Sequence, residues 1–259
     1  MIRLGVPGAS GRMGQMVIAE ALARPDVFTV AAALEAPGEK AIGTEAAPGV
    51  PIRAELSALS RCDVYVDFTV PDATRQLAEA AVEHKTAAVI GTTGLDHDAS
   101  EAVDNLATFA PIVLAPNFSL GVNLLLVLAE QAARTLGPEF DLEVVEAHHR
   151  MKRDAPSGTA IAIAEALALG RGQVLDDVKR YSREGDIGAR PEGEIGVATL
   201  RGGDVAGEHT AFFFGPNERV ELTHRATSRA IFARGALRAA QWVVGKPPGR
   251  YQMRDVLGL

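Results

Sequence analysis

The sequence predicts an α/β fold carrying an inserted α+β domain, and three observations carry that reading. The first half alternates short apolar runs with amphipathic helical patterns. The second half strings β-rich runs together through glycine-rich turns. A last amphipathic helix then closes the chain, in the place of an element that returns to the first domain. On this division residues 1–119 and 226–259 form the first domain and residues 120–225 the insertion.

Residues 2–6, 28–34, 63–68, 87–90 and 112–114 read as short, largely buried strands. Helical patterns at 12–23, 72–85 and 97–107 lie between several of them. Strands separated by helices build a parallel sheet covered on both faces. Gly, Pro and charged residues at 36–51 mark a long irregular connection. Residues 117–137 hold a further helix, capped by Asn117 or Ser119 and stopped at Gly137-Pro138. Further on, 174–181, 195–200, 210–214 and 219–223 read as strands of an antiparallel or mixed sheet. Residues 230–244 are helical, with Arg234, Arg238 and Gln241 on one face and Ala236, Leu237, Ala240 and Val243 on the other.

Bulk properties exclude several functions. A chain of 259 residues, 47% hydrophobic and 23% charged, suits an ordinary globular protein of one or two domains. A formal charge of -7 repels nucleic acid and anionic membranes, so neither is expected as a partner. Cys62 is the only cysteine, which fits a reducing compartment. No signal-peptide pattern opens the sequence, and the longest apolar stretch, 122–129, is too short to span a bilayer. A soluble, cytoplasmic protein is the expectation.

Gly8, Ala9, Ser10, Gly11, Arg12, Met13 and Gly14 follow the first strand and open the first helix. Glycines there let the chain turn tightly and bring backbone N–H groups to a pyrophosphate. The spacing is Gly-x-x-Gly-x-x-Gly rather than Gly-x-Gly-x-x-Gly, which weakens the loop taken alone. Glu35 strengthens it, lying at the end of the second strand, roughly 20 residues on, where a ribose-binding carboxylate belongs. Together they read as a Rossmann-like dinucleotide-binding domain, against the plainer alternative of a glycine-rich turn. Two later loops follow strands in the same way: Gly91, Thr92, Thr93 and Gly94, and Ala115, Pro116, Asn117 and Phe118. Either of these alone is as well explained by turn chemistry.

Residues 146–160 are the most informative segment. His148, His149 and Lys152 put groups able to donate protons into one short stretch. Ser157, Gly158 and Thr159 then open an apolar helical run, whose capped N-terminus favours a carboxylate or phosphate. The two histidines end a strand-like stretch and serve one site only if the chain leaves the strand there. That is the anatomy of a site for a small acid. A metal site competes, because Glu146, His148, His149 and Asp154 are all ligand types. Arg150, Lys152 and Arg153 would repel a cation, and the helical His-Glu-x-x-His spacing is absent, so no metal is expected. Nucleophilic catalysis is weaker still, since Ser157 lacks a Gly-x-Ser-x-Gly setting.

The run from Glu146 to Thr159 (Glu-Ala-His-His-Arg-Met-Lys-Arg-Asp-Ala-Pro-Ser-Gly-Thr) resembles the signature of the 4-hydroxy-tetrahydrodipicolinate reductase (dihydrodipicolinate reductase) family. The likeness extends through Gly8–Gly14, Val66-Asp67-Phe68-Thr69, Gly91–Gly94, Asn117–Asn123, Tyr181–Gly185 and Gly207–Thr210. It implies a hydride transfer from NADH or NADPH to a cyclic dicarboxylate with loss of its 4-hydroxyl, on the diaminopimelate route to lysine. It also implies that the insertion binds substrate and forms a homotetramer. By the same resemblance His148 is the proton donor and Lys152 its partner cation, while His149, Gly158 and Thr159 contact the substrate. Gly8, Ala9, Ser10, Gly11, Arg12, Met13, Gly91, Thr92, Thr93, Ala115, Pro116, Asn117 and Phe118 carry over to the cofactor, beside Glu35.

Two departures stand out. Ser10 replaces a small glycine, and Ala36 stands where many members carry an arginine. Glu35 repels the 2′-phosphate of NADP and Ala36 supplies no compensating cation, so NADH is the expected preference. Two rivals stay open on the sequence: an aspartate- or homoserine-type dehydrogenase of the same plan, and a nicotinamide-binding redox sensor without turnover. Neither needs the paired histidines and lysine beside an acid cradle.

Overall fold

The first strand, β1 (Ile2–Pro7), buries its last four residues, as a strand covered on both faces must. In the computed structural model, which describes residues 1–259, it is the centre of an eight-stranded sheet. The chain runs from β1 through α1 (Arg12–Leu22) to β2 (Phe28–Leu34), which lies parallel to β1. It then continues through β3 (Glu45–Ala47), β4 (Val50–Arg53) and β5 (Val64–Asp67) to α2 (Pro71–His84). There Val70 is extended, as a residue before proline prefers, and Pro71 opens the helix with a preset φ. Next come β6 (Ala87–Ile90), α3 (His97–Phe109), capped by the Asp96 carboxylate on Ala99 N, and β7 (Pro111–Leu114). The fully apolar strands β6 and β7 pair in parallel with their neighbours.

Two compact units result: Met1–Leu120 with Ala230–Gly258, and Gly121–Arg229. In the first, β1 lies between β2 and β5, so strand order reverses at its carboxyl end. The connection read as irregular at 36–51 instead contains a hairpin. β3 and β4 pair antiparallel around a left-handed Gly49, and β4 joins β2 in parallel at Leu34–Arg53. Interleaved Gly, Pro and Glu hid strands of only three and four residues.

The final segment completes this unit. Helix α7 (Ala230–Val243) buries Ala233, Ala236, Leu237, Ala240 and Val243 in the same core as Val6, Val17, Val66 and Val113. A short strand (Gly249–Tyr251) adds to the edge beside β7, followed by a helical turn (Met253–Leu257). Neither is long enough to leave a periodic signature.

In the second unit α4 (Leu120–Leu136) leads to β8 (Asp141–His148) and α5 (Gly158–Gly170). Helix α4 begins directly after Ser119, whose N–H donates to the Asn117 carboxamide at 2.8 Å. Strand expectations at 174–181 need correcting: the chain forms a helical turn, α6 (Leu175–Val178), and only Lys179–Arg180 is extended, as β9. Asp176 and Asp177 sit in that helix's first turn, where its dipole favours them. β10 (Ile195–Arg201), β11 (Gly207–Gly215) and β12 (Glu218–Ala226) complete a mixed sheet in the order β12-β11-β8-β10-β9. Helix α5 packs Ile163 and Leu167 on the Leu142, Val144, Val197 and Phe213 face. No helix in the chain is long and apolar enough to cross a membrane.

Helix α7 approaches the loop after β7 so closely that a Cβ on Gly235 would lie 1.7 Å from the Phe118 carbonyl oxygen. Gly235→Ala is therefore expected to destabilise the first unit by about 1–3 kcal/mol through overpacking. Urea unfolding checks this, and an unchanged midpoint would refute the close packing.

Candidate active site

At the switch point, β1 ends at Pro7 and Gly8 turns with φ 65°. Gly11 precedes α1 without a side-chain cap, so the helix opens on backbone N–H groups. A Cβ on Gly14 would lie 2.1 Å from the Gly8 carbonyl oxygen, so only glycine lets the loop fold this tightly onto the helix. Glu35 follows β2, and its Oε1 accepts from Ser10 N at 2.8 Å and Ser10 Oγ at 2.6 Å. Ser10 thus ties the acidic residue to the loop, while Oε2 is engaged by neither bond. Arg53 lies alongside, its carbonyl accepting from Glu35 N at 2.9 Å. This cradle and carboxylate fit a dinucleotide.

Asp67, at the end of β5, organises the neighbouring loops. It is fully buried, and Oδ1 accepts from Thr69 N at 2.8 Å, Thr69 Oγ1 at 2.6 Å and Thr92 Oγ1 at 3.2 Å. Oδ2 accepts from Thr74 Oγ1 at 2.6 Å. Burial pushes its pKa up, only partly opposed by these neutral donors. Gly91 packs on the Phe68 ring, which meets Phe118 edge-on at 5.7 Å. The loops bearing Thr92 and Phe118 are thereby held within one unit together with the glycine loop.

The second unit gathers the titratable groups. His148 is the last residue of β8, and the chain turns away after it through Lys152. Glu146, two residues earlier on the same strand, is fully buried. His148 Nδ1 lies 2.6 Å from Glu146 Oε2. Arg201, at the end of β10, donates to both carboxylate oxygens at 2.8 Å. Ser157 N and Thr199 Oγ1 donate to Oε1 at 3.1 and 3.2 Å. Burial alone would raise the Glu146 pKa, but the bonds from Arg201, His148 and Ser157 prevail and pull it down to about 2. Burial holds His148 below the usual histidine range, resisted by Glu146. Lys152 is paired with Asp154 at 2.8 Å.

Ser157 caps α5, accepting from Ala160 N at 3.2 Å, and its Oγ also meets His209 Nε2 at 3.0 Å. Gly158 and Thr159 therefore stand in the first turn of a fixed helix. His209 is buried, and burial together with the neighbouring His148 pushes its pKa down to about 4. It is a neutral structural ring at physiological pH.

Comparison with known proteins is decisive. The family described as dihydrodipicolinate reductase, N-terminus, matches residues 2–118, and dihydrodipicolinate reductase, C-terminus, matches residues 121–257. The chain belongs to the dihydrodipicolinate reductase family. The 4-hydroxy-tetrahydrodipicolinate reductase of Geobacter metallireducens is 47% identical over 100% of both chains. That of Anaeromyxobacter dehalogenans is 49% identical, covering 100% of this chain and 98% of the relative. A dipicolinate-bound dihydrodipicolinate reductase from Paenisporosarcina sp. TG-14 shares the fold, with a TM-score of 0.78, 24% identity and 97% of each chain covered.

Of the residues expected from the sequence, one unit holds the glycine loop, Glu35, Thr92 and Phe118, and the other holds His148, His149, Lys152, Gly158 and Thr159. Sequence reasoning missed Thr199 and Arg201, met Asp67 and His209 only inside family motifs without a role, and gave Glu146 no role beyond that of a competing metal ligand. The period of two along a strand puts Glu146 and His148 on one face and signals their pairing. Arg201 has no such signal, because only the parallel pairing of β10 with β8 brings it opposite His148.

Proposed function

We propose that this chain reduces 4-hydroxy-tetrahydrodipicolinate to tetrahydrodipicolinate with NADH or NADPH, the 4-hydroxyl leaving as water, on the diaminopimelate route to lysine. The observation that supports this best is the His148–Glu146 pair beside the capped start of α5, in a chain of this family. The nicotinamide cofactor supplies the hydride, and the glycine loop, Arg12, Met13, Glu35, the Gly91–Thr93 loop and Ala115–Phe118 bind it. The protein's own chemistry is acid supply and anion binding.

Loss of the 4-hydroxyl with a hydrogen from the neighbouring ring carbon releases water and leaves a conjugated imine. Hydride addition to it builds negative charge at nitrogen or an adjacent carbon, and a positioned acid quenches it. His148 delivers that proton. Burial disfavours its imidazolium and so makes it a readier donor. Lys152 adds positive charge beside it, steadied by Asp154. The start of α5, through Gly158 and Thr159, receives a substrate carboxylate, with His149 as a further contact. β12 is an edge strand of nine residues, which supports self-association, and the homotetramer belongs to this reading.

His148→Gln and Lys152→Ala are expected to lower kcat by on the order of a hundredfold to ten-thousandfold while leaving NADH affinity nearly intact. Because the protonated ring is the active form, wild-type kcat/KM should fall as pH rises through a His148 pKa below the usual histidine value. Turnover within a few-fold of wild type in either variant, followed as NADH oxidation, would remove the assignment.

Thr159→Val removes a donor aimed at a carboxylate, an interaction worth about 1.5–3 kcal/mol. The substrate's KM should rise far more than that of NADH. Equal changes in both would make the helix start a structural feature only.

NADH is the preferred cofactor in this reading, by a modest margin, because Glu35 faces the ribose and Ala36 is not basic. Ala36→Arg should improve NADPH affinity by a charge-assisted contact of about 1.5–3 kcal/mol, with little effect on NADH. A wild-type preference for NADPH would contradict this, and loss of that preference on Arg12→Ala would identify the cation responsible.

A further inference from the structure

The carboxylate of Glu146 has no hydrogen to give, so its contact with His148 determines where the imidazole proton sits. Five donor atoms converge on it: two nitrogens of Arg201, His148 Nδ1, Ser157 N and Thr199 Oγ1. With that company it stays ionised throughout the neutral range. An ionised carboxylate only accepts, so Nδ1 carries the hydrogen whether His148 is charged or neutral.

We propose that Glu146 and Arg201 are positioning residues for this reaction: together they lock the His148 ring with Nδ1–H on Glu146, leaving Nε2 as the atom that hands over the proton. The inference rests on His148 being the proton donor. Arg201 has a second hold, since its Nη2 also donates to the Asp154 carbonyl at 2.6 Å. Asp154 in turn grips Lys152. One guanidinium on β10 therefore braces both the histidine and the segment that carries the lysine.

Room at Nε2 is kept by a glycine. A Cβ on Gly207 of β11 would lie 3.0 Å from His148 Nε2. The ring plane is fixed by His209, packed edge-on with centroids 5.1 Å apart. The groups facing His148 are Glu146 on its own strand, Arg201 on β10, His209 on β11 with its cross-strand neighbour His224 on β12, and Lys152 in the following turn. Glu146 favours the imidazolium, whereas Arg201 and Lys152 oppose it.

The two positioning residues consequently push the His148 titration in opposite directions, which a merely structural pair would not do. The test records kcat/KM against pH for wild type, Glu146→Gln and Arg201→Met, with 15N NMR of the His148 ring in the wild-type enzyme. The resonance is assigned by its loss in His148→Gln. Glu146→Gln should lower kcat at least about tenfold and move the alkaline limb of the profile down by about one to two pH units. Arg201→Met should also lower kcat but move that limb up. The KM for NADH should stay within about twofold in both. The neutral wild-type ring should show hydrogen on Nδ1.

A neutral ring with hydrogen on Nε2 would overturn the proposal. So would limbs that stay put while activity falls uniformly with the melting temperature. If Glu146→Gln does not fold, Arg201→Met and the wild-type ring spectrum decide it. Near-wild-type activity in His148→Gln would instead remove the proton-donor reading on which it rests.

Discussion

A carboxylate shut away from water must be surrounded by donors, and the candidate site is organised around one that is. Glu146 loses its hydration entirely and replaces it with a bidentate guanidinium, an imidazole, a hydroxyl and a backbone N–H. Those partners come from β8, β10 and the residue that caps α5. The buried charge therefore sets the register between strand and helix as well as the tautomer of the histidine. Its depressed pKa lies below the unfolded carboxylate value. The stability it contributes is thus complete above the ordinary carboxylate range and fades as pH falls towards about 2.

Asp67 in the first unit shows what the guanidinium adds. It too is fully buried and has four hydrogen-bond donors, but all of them are neutral. Burial then dominates and its pKa rises rather than falls. Its carboxyl gathers Thr69, Thr74 and Thr92 about one point, which shapes the ends of β5 and β6. A carboxyl group buried to the same extent thus does two jobs. Paired with a cation it holds a charge in reserve beside a titrating ring, and with neutral donors alone it ties loops together.

Much of this was legible in the chain. Long, strongly periodic or wholly apolar segments announced the parallel strands, the helices between them and the returning α7. The glycine loop and Glu35 were found by their spacing, and residues 146–159 by their density of chemistry. What escaped detection has a common cause. The 45–53 hairpin and the terminal strand are three or four residues long, too short for a period to show. Asp176 and Asp177 turned an apparent strand into a helical turn. Arg201 and His209 lie more than fifty residues from the histidine they serve, and only sheet register brings them there.

Net charge and local charge point in opposite directions here. The whole chain carries -7, a field that repels anions at long range. Yet Arg150, Lys152 and Arg153 cluster within four positions of the turn after β8, next to the start of α5. Beyond about 10 Å of salt water the background charge is screened, so on the proposed reading an arriving dianion would respond mainly to this turn and to the helix terminus. Asp154 tempers Lys152, and Glu146 absorbs Arg201. The two carboxylates keep the cations oriented without cancelling the positive character of the turn. The proposed reaction, in which the site attracts a dicarboxylate and then parts with a proton, needs that balance. In the proposed reaction, too little positive charge would weaken binding of the dianion, while too much would drive His148 to lose its proton before hydride transfer.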